Sequence, residues 1–163
     1  MEKKLLIGVL GNLGSGKTTT WNKFFNRNVH TGKNIRKIEI NGIKIPVFLI
    51  STSPLERKTD LKYILPEKDP QIVICSFLYH KKVKANFEYF ISRGYELYIQ
   101  WLNPGFNDAN EKFLFYNDGI INELLSYNAT VSVKNAKTNE SQRIEELKNF
   151  IFSWYVTNSK TSI

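Results

Sequence analysis

A glycine-rich segment near the start of the chain has the residue types and spacing of a phosphate-binding loop. Gly11 and Gly16 bound a G-x-x-x-x-G-K-T pattern, and an apolar run at 4–10 precedes it. Glycines permit positive φ and a close backbone approach, so the N–H groups of such a loop point at a bound anion. We expect Lys17 to reach the β- and γ-phosphates of a nucleotide and the Thr18 hydroxyl to hold Mg²⁺. The predicted nucleotide-binding residues are Gly11, Asn12, Leu13, Gly14, Ser15, Gly16, Lys17, Thr18 and Thr19.

With a strand predicted before it and a helix after it, this segment resembles the P-loop of NTPases and kinases. The resemblance implies that the chain binds ATP or GTP together with Mg²⁺, and that Lys17 takes part in phosphoryl transfer. The alternative is a strand–turn–helix connection that is glycine-rich for structural reasons alone.

Apolar runs alternate with helix-compatible segments along the rest of the chain. Asn41-Gly42 separates two such runs, at 35–40 and 43–50, which predicts a hairpin with a type I′ turn. Further strands are predicted at 72–77, 95–101 and 129–133. Helices are predicted at 17–26, 54–65, 82–93 and 139–156, the last with Asn139 as its capping residue, and 108–127 is expected to be helical in places. The alternation predicts a three-layer α/β/α P-loop fold whose sheet is mostly parallel with one antiparallel edge hairpin. We expect one domain over 1–157 and a flexible tail at 158–163.

The charge of the chain bears on its partners. The formal net charge is +8, which favours a polyanion such as DNA, although it also suits simple solubility. The basic residues cluster after the first predicted helix and after the strand at 72–77, and both clusters are expected near the nucleotide. The clusters are Lys23, Arg27, His30, Lys33, Arg36 and Lys37, and His80, Lys81, Lys82 and Lys84.

Other features of the composition bear on location. No apolar run approaches the roughly 20 residues that cross a bilayer, so no membrane partner is expected. The single cysteine, Cys75, excludes an intramolecular disulfide and favours a reducing cytoplasm. It lies inside an apolar run and is predicted to be a small core residue.

No predicted strand ends in the acidic residue that a P-loop protein uses to orient Mg²⁺. The apolar run at 43–50 ends in Ser51, and the apolar run at 71–75 ends in Ser76 instead. Thr18 with Ser51, or with Ser53, is therefore predicted to lie beside the metal. Two carboxylates a few residues farther on, Glu56 and Asp60, are candidates for the base that accepts the proton of the acceptor hydroxyl, and Arg57 for stabilising the transferring phosphoryl group. A solvated helix face is the alternative for Glu56 and Arg57.

The order of parts up to Arg57 resembles a small GTPase, with a P-loop, a loop containing Thr31, an edge hairpin and the segment 51–57. Ser51, Pro54 and Leu55 stand where such GTPases have the Asp and Gly of Asp-x-x-Gly and the Gln that orients water. The guanine motif Asn-Lys-x-Asp is replaced by the segment at 102–105, Leu-Asn-Pro-Gly. A GTPase-like switch with degenerate hydrolysis motifs is therefore the second hypothesis, and a non-catalytic nucleotide-binding module is the third.

Four segments make the whole chain similar to phage-type 5-hydroxymethyluracil DNA kinases. They are Gly11–Thr20, Val47–Arg57, Gln71–Ser76 and Trp101–Phe106. The resemblance implies an ATP-dependent phosphotransferase that modifies DNA by phosphorylating the hydroxymethyl oxygen of the base. That oxygen projects into the major groove of a duplex, so the base need not be flipped out. This kinase is the first hypothesis, with Lys17, Glu56, Arg57 and Asp60 as catalytic residues and Thr18 and Ser51 as metal neighbours.

Overall fold

The computed structural model describes residues 2–109, 118–138 and 140–159. Within these ranges the chain forms strands that alternate with helices. The strands are β1 (Lys4–Gly11), β2 (Arg36–Ile40), β3 (Ile43–Ile50), β4 (Ile72–Leu78), β5 (Tyr95–Leu102) and β6 (Thr130–Lys134). The helices are α1 (Lys17–Phe25), α2 (Pro54–Arg57), α3 (Leu61–Ile64), α4 (Val83–Ser92), α5 (Ile120–Ser126) and α6 (Glu140–Asn158).

The strands form one six-stranded sheet in the order β2-β3-β4-β1-β5-β6. β2 runs antiparallel to β3, and every other neighbouring pair is parallel. The turn between β2 and β3 has Asn41 at φ 50° and Gly42 at φ 78°, the left-handed values that a type I′ turn requires. The α/β class, the mostly parallel sheet and the antiparallel edge hairpin are thus confirmed.

Helices cover both faces of the sheet and bury one apolar core on each side, in agreement with a three-layer arrangement. Side chains of β1 alternate between the two cores: Leu5, Ile7 and Val9 lie under α1 and α6, while Leu6 and Leu10 lie under α3, α4 and α5. Because both faces are covered, the strand is apolar almost throughout rather than alternating with polar residues. The five parallel strands end at one edge of the sheet, which is where open α/β sheets bind ligands.

The helical predictions need two corrections, and part of them lies outside the described residues. The helix predicted at 54–65 is two short helices, because Lys58 adopts a left-handed conformation with φ 53° and ends α2. The last helix continues to Asn158, two residues beyond the predicted end at 156. Part of the helical stretch expected at 108–127, namely 110–117, and the predicted capping residue Asn139 lie outside the described residues.

Trp21 and Cys75 are both core residues, as predicted for Cys75. The ring of Trp21 is fully buried and its Nε1 donates a hydrogen bond to Ser76 Oγ at 2.8 Å, so this ring cannot stack on a nucleotide. Cys75 is a free, fully buried thiol. Among the described helices, none combines the length and the apolar character that crossing a bilayer would demand.

Candidate functional site

The glycine-rich loop, residues 11–16, joins the end of β1 to the start of α1. Gly14 and Gly16 have φ values of 71° and 100°, which a residue with a side chain rarely adopts. Among the described residues, no protein acceptor lies within hydrogen-bonding distance of the backbone N–H groups of Gly14, Gly16, Lys17, Thr18 and Thr19. Unpaired N–H groups at the start of a nine-residue helix, together with its dipole, make this loop suited to bind an anion.

A turn after β5 holds the loop in this shape. The backbone N–H groups of Phe106 and Asn107 donate to the carbonyls of Ser15 and Gly14, at 3.0 and 3.1 Å. The carbonyl and N–H of one peptide plane point in opposite directions, so the Gly16 N–H faces away from this turn. The two segments approach so closely that a Cβ at Gly105 would lie 2.4 Å from Ser15 Cβ. Gly105, in the segment that stands in place of the guanine motif, therefore supports the loop.

Lys17 is buried in the loop and forms an ion pair with the predicted catalytic carboxylate. Its Nζ lies 3.2 Å from Glu56 Oε1 and 2.8 Å from the carbonyl of Asn12, and the side chain is 4% exposed. Burial lowers the pKa of Lys17, while the nearby Glu56 and Asp108 carboxylates oppose that shift. The ammonium and the carboxylate thus sit together beside the unpaired N–H groups.

Glu56 is directed to the loop by the local structure of α2. Pro54 begins the helix, and Ser53 Oγ accepts a hydrogen bond from the Glu56 N–H at 3.1 Å. Ser53 is therefore a buried helix cap, which corrects its alternative role as a metal neighbour. Arg57 is exposed, and Asp60 lines a different cleft, so neither is placed with Lys17 and Glu56.

Three hydroxyl groups meet where β3 ends. Thr18 Oγ1 donates to the carbonyl of Ser51 at 3.3 Å, which places the two predicted metal neighbours together. Thr31 Oγ1 accepts from the Ser51 N–H at 3.0 Å and lies 3.3 Å from Ser51 Oγ. Hydroxyl and carbonyl oxygens are ligand types that Mg²⁺ accepts alongside water. The described residues contain no cluster of three His, Cys, Asp or Glu that would favour another kind of metal site.

A cleft of about 690 Å³ extends from the loop toward the ends of β5 and β6. This volume falls within the range of small-ligand pockets, roughly 300–1,000 Å³. Its lining includes Lys17, Thr18 and Glu56 together with Phe106, Lys137 and Arg143. The Lys137 ammonium donates to the carbonyl of Phe106 at 3.0 Å, which links the turn after β5 to the segment after β6.

Arg143 on α6 is a residue of this cleft that the sequence analysis did not identify. Its side chain is 4% exposed, and Nη1 donates to Thr20 Oγ1 at 2.7 Å and to Gln100 Oε1 at 3.3 Å. Nη2 lies 3.8 Å from the Glu140 carboxylate, and burial lowers the pKa of the guanidinium. The available signal was Gln100, a polar residue inside the run of buried residues that ends β5. Arg143 thus fixes the start of α6 against α1 and β5, behind the loop.

Replacing Arg143 with methionine should lower the free energy of unfolding by about 2–4 kcal/mol, because buried polar groups of Thr20 and Gln100 lose their partner. Urea denaturation measures this loss. Arg93→Met is the matched control, since Arg93 pairs with Asp69 at 3.3 Å with its side chain 40% exposed and should cost less than about 1 kcal/mol. Equal losses in the two variants would show that Arg143 has no special structural role.

The structure thus brings Lys17, Thr18, Ser51 and Glu56 to one edge of the sheet. Of the first basic cluster, Lys23 lies in the last turn of α1, away from the loop, and not near the nucleotide as expected. The second cluster follows β4 at the same edge as the loop. No family model and no curated protein matches the chain, so these residues are the basis for assigning a function.

Proposed function

We propose that this chain is a kinase that transfers the γ-phosphoryl group of ATP to a hydroxyl acceptor. The acceptor that we favour is the hydroxymethyl group of 5-hydroxymethyluracil in DNA. The observation that carries the proposal is the ion pair between Lys17 and Glu56, 3.2 Å apart beside the unpaired N–H groups of the loop. A cation suited to phosphate and a carboxylate suited to take a proton lie together there, as phosphoryl transfer to a hydroxyl requires.

Binding of the donor nucleotide is supported by the loop and the cleft. The N–H groups of residues 14 and 16–19 would surround the phosphates, and Lys17 would turn from Glu56 toward them. Thr18 and Ser51 would hold Mg²⁺, which neutralises phosphate charge when bound. The volume of about 690 Å³ leaves room for the rest of the nucleotide between the segments after β5 and β6.

In the proposed transfer step, Glu56 accepts the proton of the acceptor hydroxyl. The acceptor oxygen bonds to the γ-phosphorus as the bond from that phosphorus to the β-phosphate oxygen breaks, and ADP leaves. The hydroxyl proton passes to the Glu56 carboxylate, which is freed when Lys17 binds phosphate. Lys17 offsets the negative charge that develops on the transferred group.

The choice of ATP and of DNA is supported by the sequence. Leu102-Asn103-Pro104-Gly105 follows β5 where a guanine-selective motif would stand, which favours ATP. The net charge of +8 favours a polyanionic acceptor, and the similarity to 5-hydroxymethyluracil DNA kinases names one. The free thiol of Cys75 suits a cytoplasmic location.

The test is transfer of label from γ-labelled ATP in the presence of Mg²⁺. The acceptors are DNA containing 5-hydroxymethyluracil, the same DNA with thymine, and the free modified nucleotide. We expect label in the modified DNA alone. Tight nucleotide binding with no transfer to any acceptor would instead indicate a non-catalytic nucleotide-binding module.

A GTPase-like switch is the second candidate, and one observation favours it. Thr31, in the segment between α1 and β2, hydrogen-bonds to Ser51 at the end of β3, so this segment lies against the proposed metal site. A loop that contacts a nucleotide-bound metal can change conformation when the γ-phosphate is lost. Preference for GTP with slow release of phosphate in the absence of an acceptor would support the switch and contradict the kinase.

A further inference from the structure

A second cleft, of about 490 Å³, lies at the ends of β3 and β4. Helix α2 stands between the two clefts, since it contributes Glu56 to the first and Leu55 to the second. A molecule in the second cleft is thus separated from the proposed base by this one four-residue helix.

The chain segment that lines the second cleft also contacts the start of the glycine-rich loop. The N–H of Tyr79, the residue that follows β4, donates to the carbonyl of Gly11 at 2.9 Å. His80 and Lys82, which come next, line the cleft together with Lys58. Basic residues therefore follow directly after a residue that contacts Gly11, the first residue of the loop.

The basic residues around this cleft form what we call the basic rim: Lys58, His80 and Lys82, which line it, and the adjacent exposed Lys81. Within the described part of the chain, no carboxylate lies within 4 Å of the three ammonium groups. Asp60 is the acidic residue of the lining. The rim thus carries an excess of positive charge that the described protein groups leave unpaired.

Lys58 has a left-handed backbone conformation that lysine rarely adopts. It occupies the left-handed position that ends α2, with φ 53°, where glycine or asparagine is usual. A lysine there carries a backbone strain that glycine would avoid. Lys58 lines the second cleft and contributes a positive charge there.

We propose that the second cleft binds the phosphate backbone of the acceptor DNA, with the basic rim making the phosphate contacts. This inference rests on the proposed function, because it assigns the acceptor of that reaction to the side of α2 opposite the donor nucleotide. The DNA then presents its modified base across α2 to Glu56, and the two polyanions occupy separate clefts.

The test measures binding of unmodified duplex DNA without ATP, so it does not depend on catalysis. Fluorescence anisotropy over a series of salt concentrations is compared for the native chain and Lys58→Gln/Lys82→Gln. The logarithm of the binding constant falls linearly with the logarithm of the salt concentration, and each lost phosphate contact should make this slope less steep by about 0.9. We expect the double variant to bind roughly tenfold or more weakly at 0.1 M salt, with the slope smaller by about 1.8.

Lys23→Gln/Lys44→Gln is the matched control, because it removes the same charge from exposed residues at the far end of α1 and the start of β3. It should keep the slope of the native chain, and thermal melting checks that both variants fold. Equal losses in the two double variants, no DNA binding by the native chain, or binding to anionic vesicles instead of DNA would each overturn the inference. Transfer to DNA with unchanged binding by the rim variant would overturn it while leaving the proposed function intact.

Discussion

Lys17→Ala should lower the rate of phosphoryl transfer by roughly 10²–10³-fold, the cost of losing one preorganised donor to the developing charge. Lys17 is the buried cation of the glycine-rich loop, and its Nζ already lies 3.2 Å from the proposed base. A water molecule cannot replace its fixed charge at this position. The measurement is transfer from γ-labelled ATP to the modified DNA, with Lys23→Ala, an exposed lysine in the last turn of the same helix, as the control.

The same substitution should make the stability of the fold less dependent on pH. Burial lowers the pKa of Lys17 in the folded chain, so the unfolded chain binds the proton more tightly. This group therefore costs stability at pH values below its folded pKa, and the cost fades as the pH rises toward its ordinary value. Normal transfer by a folded Lys17→Ala protein would contradict the assignment of the loop, whereas an unchanged pH dependence of the free energy of unfolding would contradict this linkage.

The first strand and the loop can be predicted from sequence because their signals are local. A run that is apolar on both faces indicates a buried parallel strand, and Asn41-Gly42 fixes a hairpin by its φ values alone. The break at Lys58 could not be predicted, since lysine carries no preference for the left-handed region. The strand order could not be predicted either, because long-range packing rather than local pattern places β4 between β3 and β1.

The residues of the site that could be predicted are those whose signals lie close together in the sequence. Lys17 and Thr18 follow from the spacing of the glycines, and Glu56 from its place just after a strand. Arg143 could not be found in this way, since its partners Thr20 and Gln100 are 123 and 43 residues away along the chain. On its own helix it adjoins the apolar stripe of Ile144 and Leu147, and its sequence neighbours do not reveal that it is buried.

Glu56→Gln should lower the rate of transfer by about 10²–10⁴-fold, the usual contribution of a positioned general base. Glutamine keeps the size and the hydrogen-bonding carbonyl of the side chain but cannot accept the proton of the acceptor. It also removes the ionic partner of Lys17, which ATP must otherwise displace. The affinity for ATP should therefore stay the same or rise a few-fold while turnover falls, and separate measurements of nucleotide binding and single-turnover transfer check this divergence.

Glu67→Gln is the control for this pair of effects, because Glu67 is an exposed carboxylate in the connection between α3 and β4. Glu67→Gln should change neither the affinity for ATP nor the rate of transfer. If Glu56→Gln lost nucleotide affinity along with turnover, Glu56 would be a support for the loop rather than the base. If turnover were unchanged, the proton would have to go elsewhere, and Asp60 in the second cleft would be the next carboxylate to test. Glu56 lines the first cleft and Asp60 lines the second. These outcomes therefore also show which cleft holds the carboxylate that activates the acceptor hydroxyl.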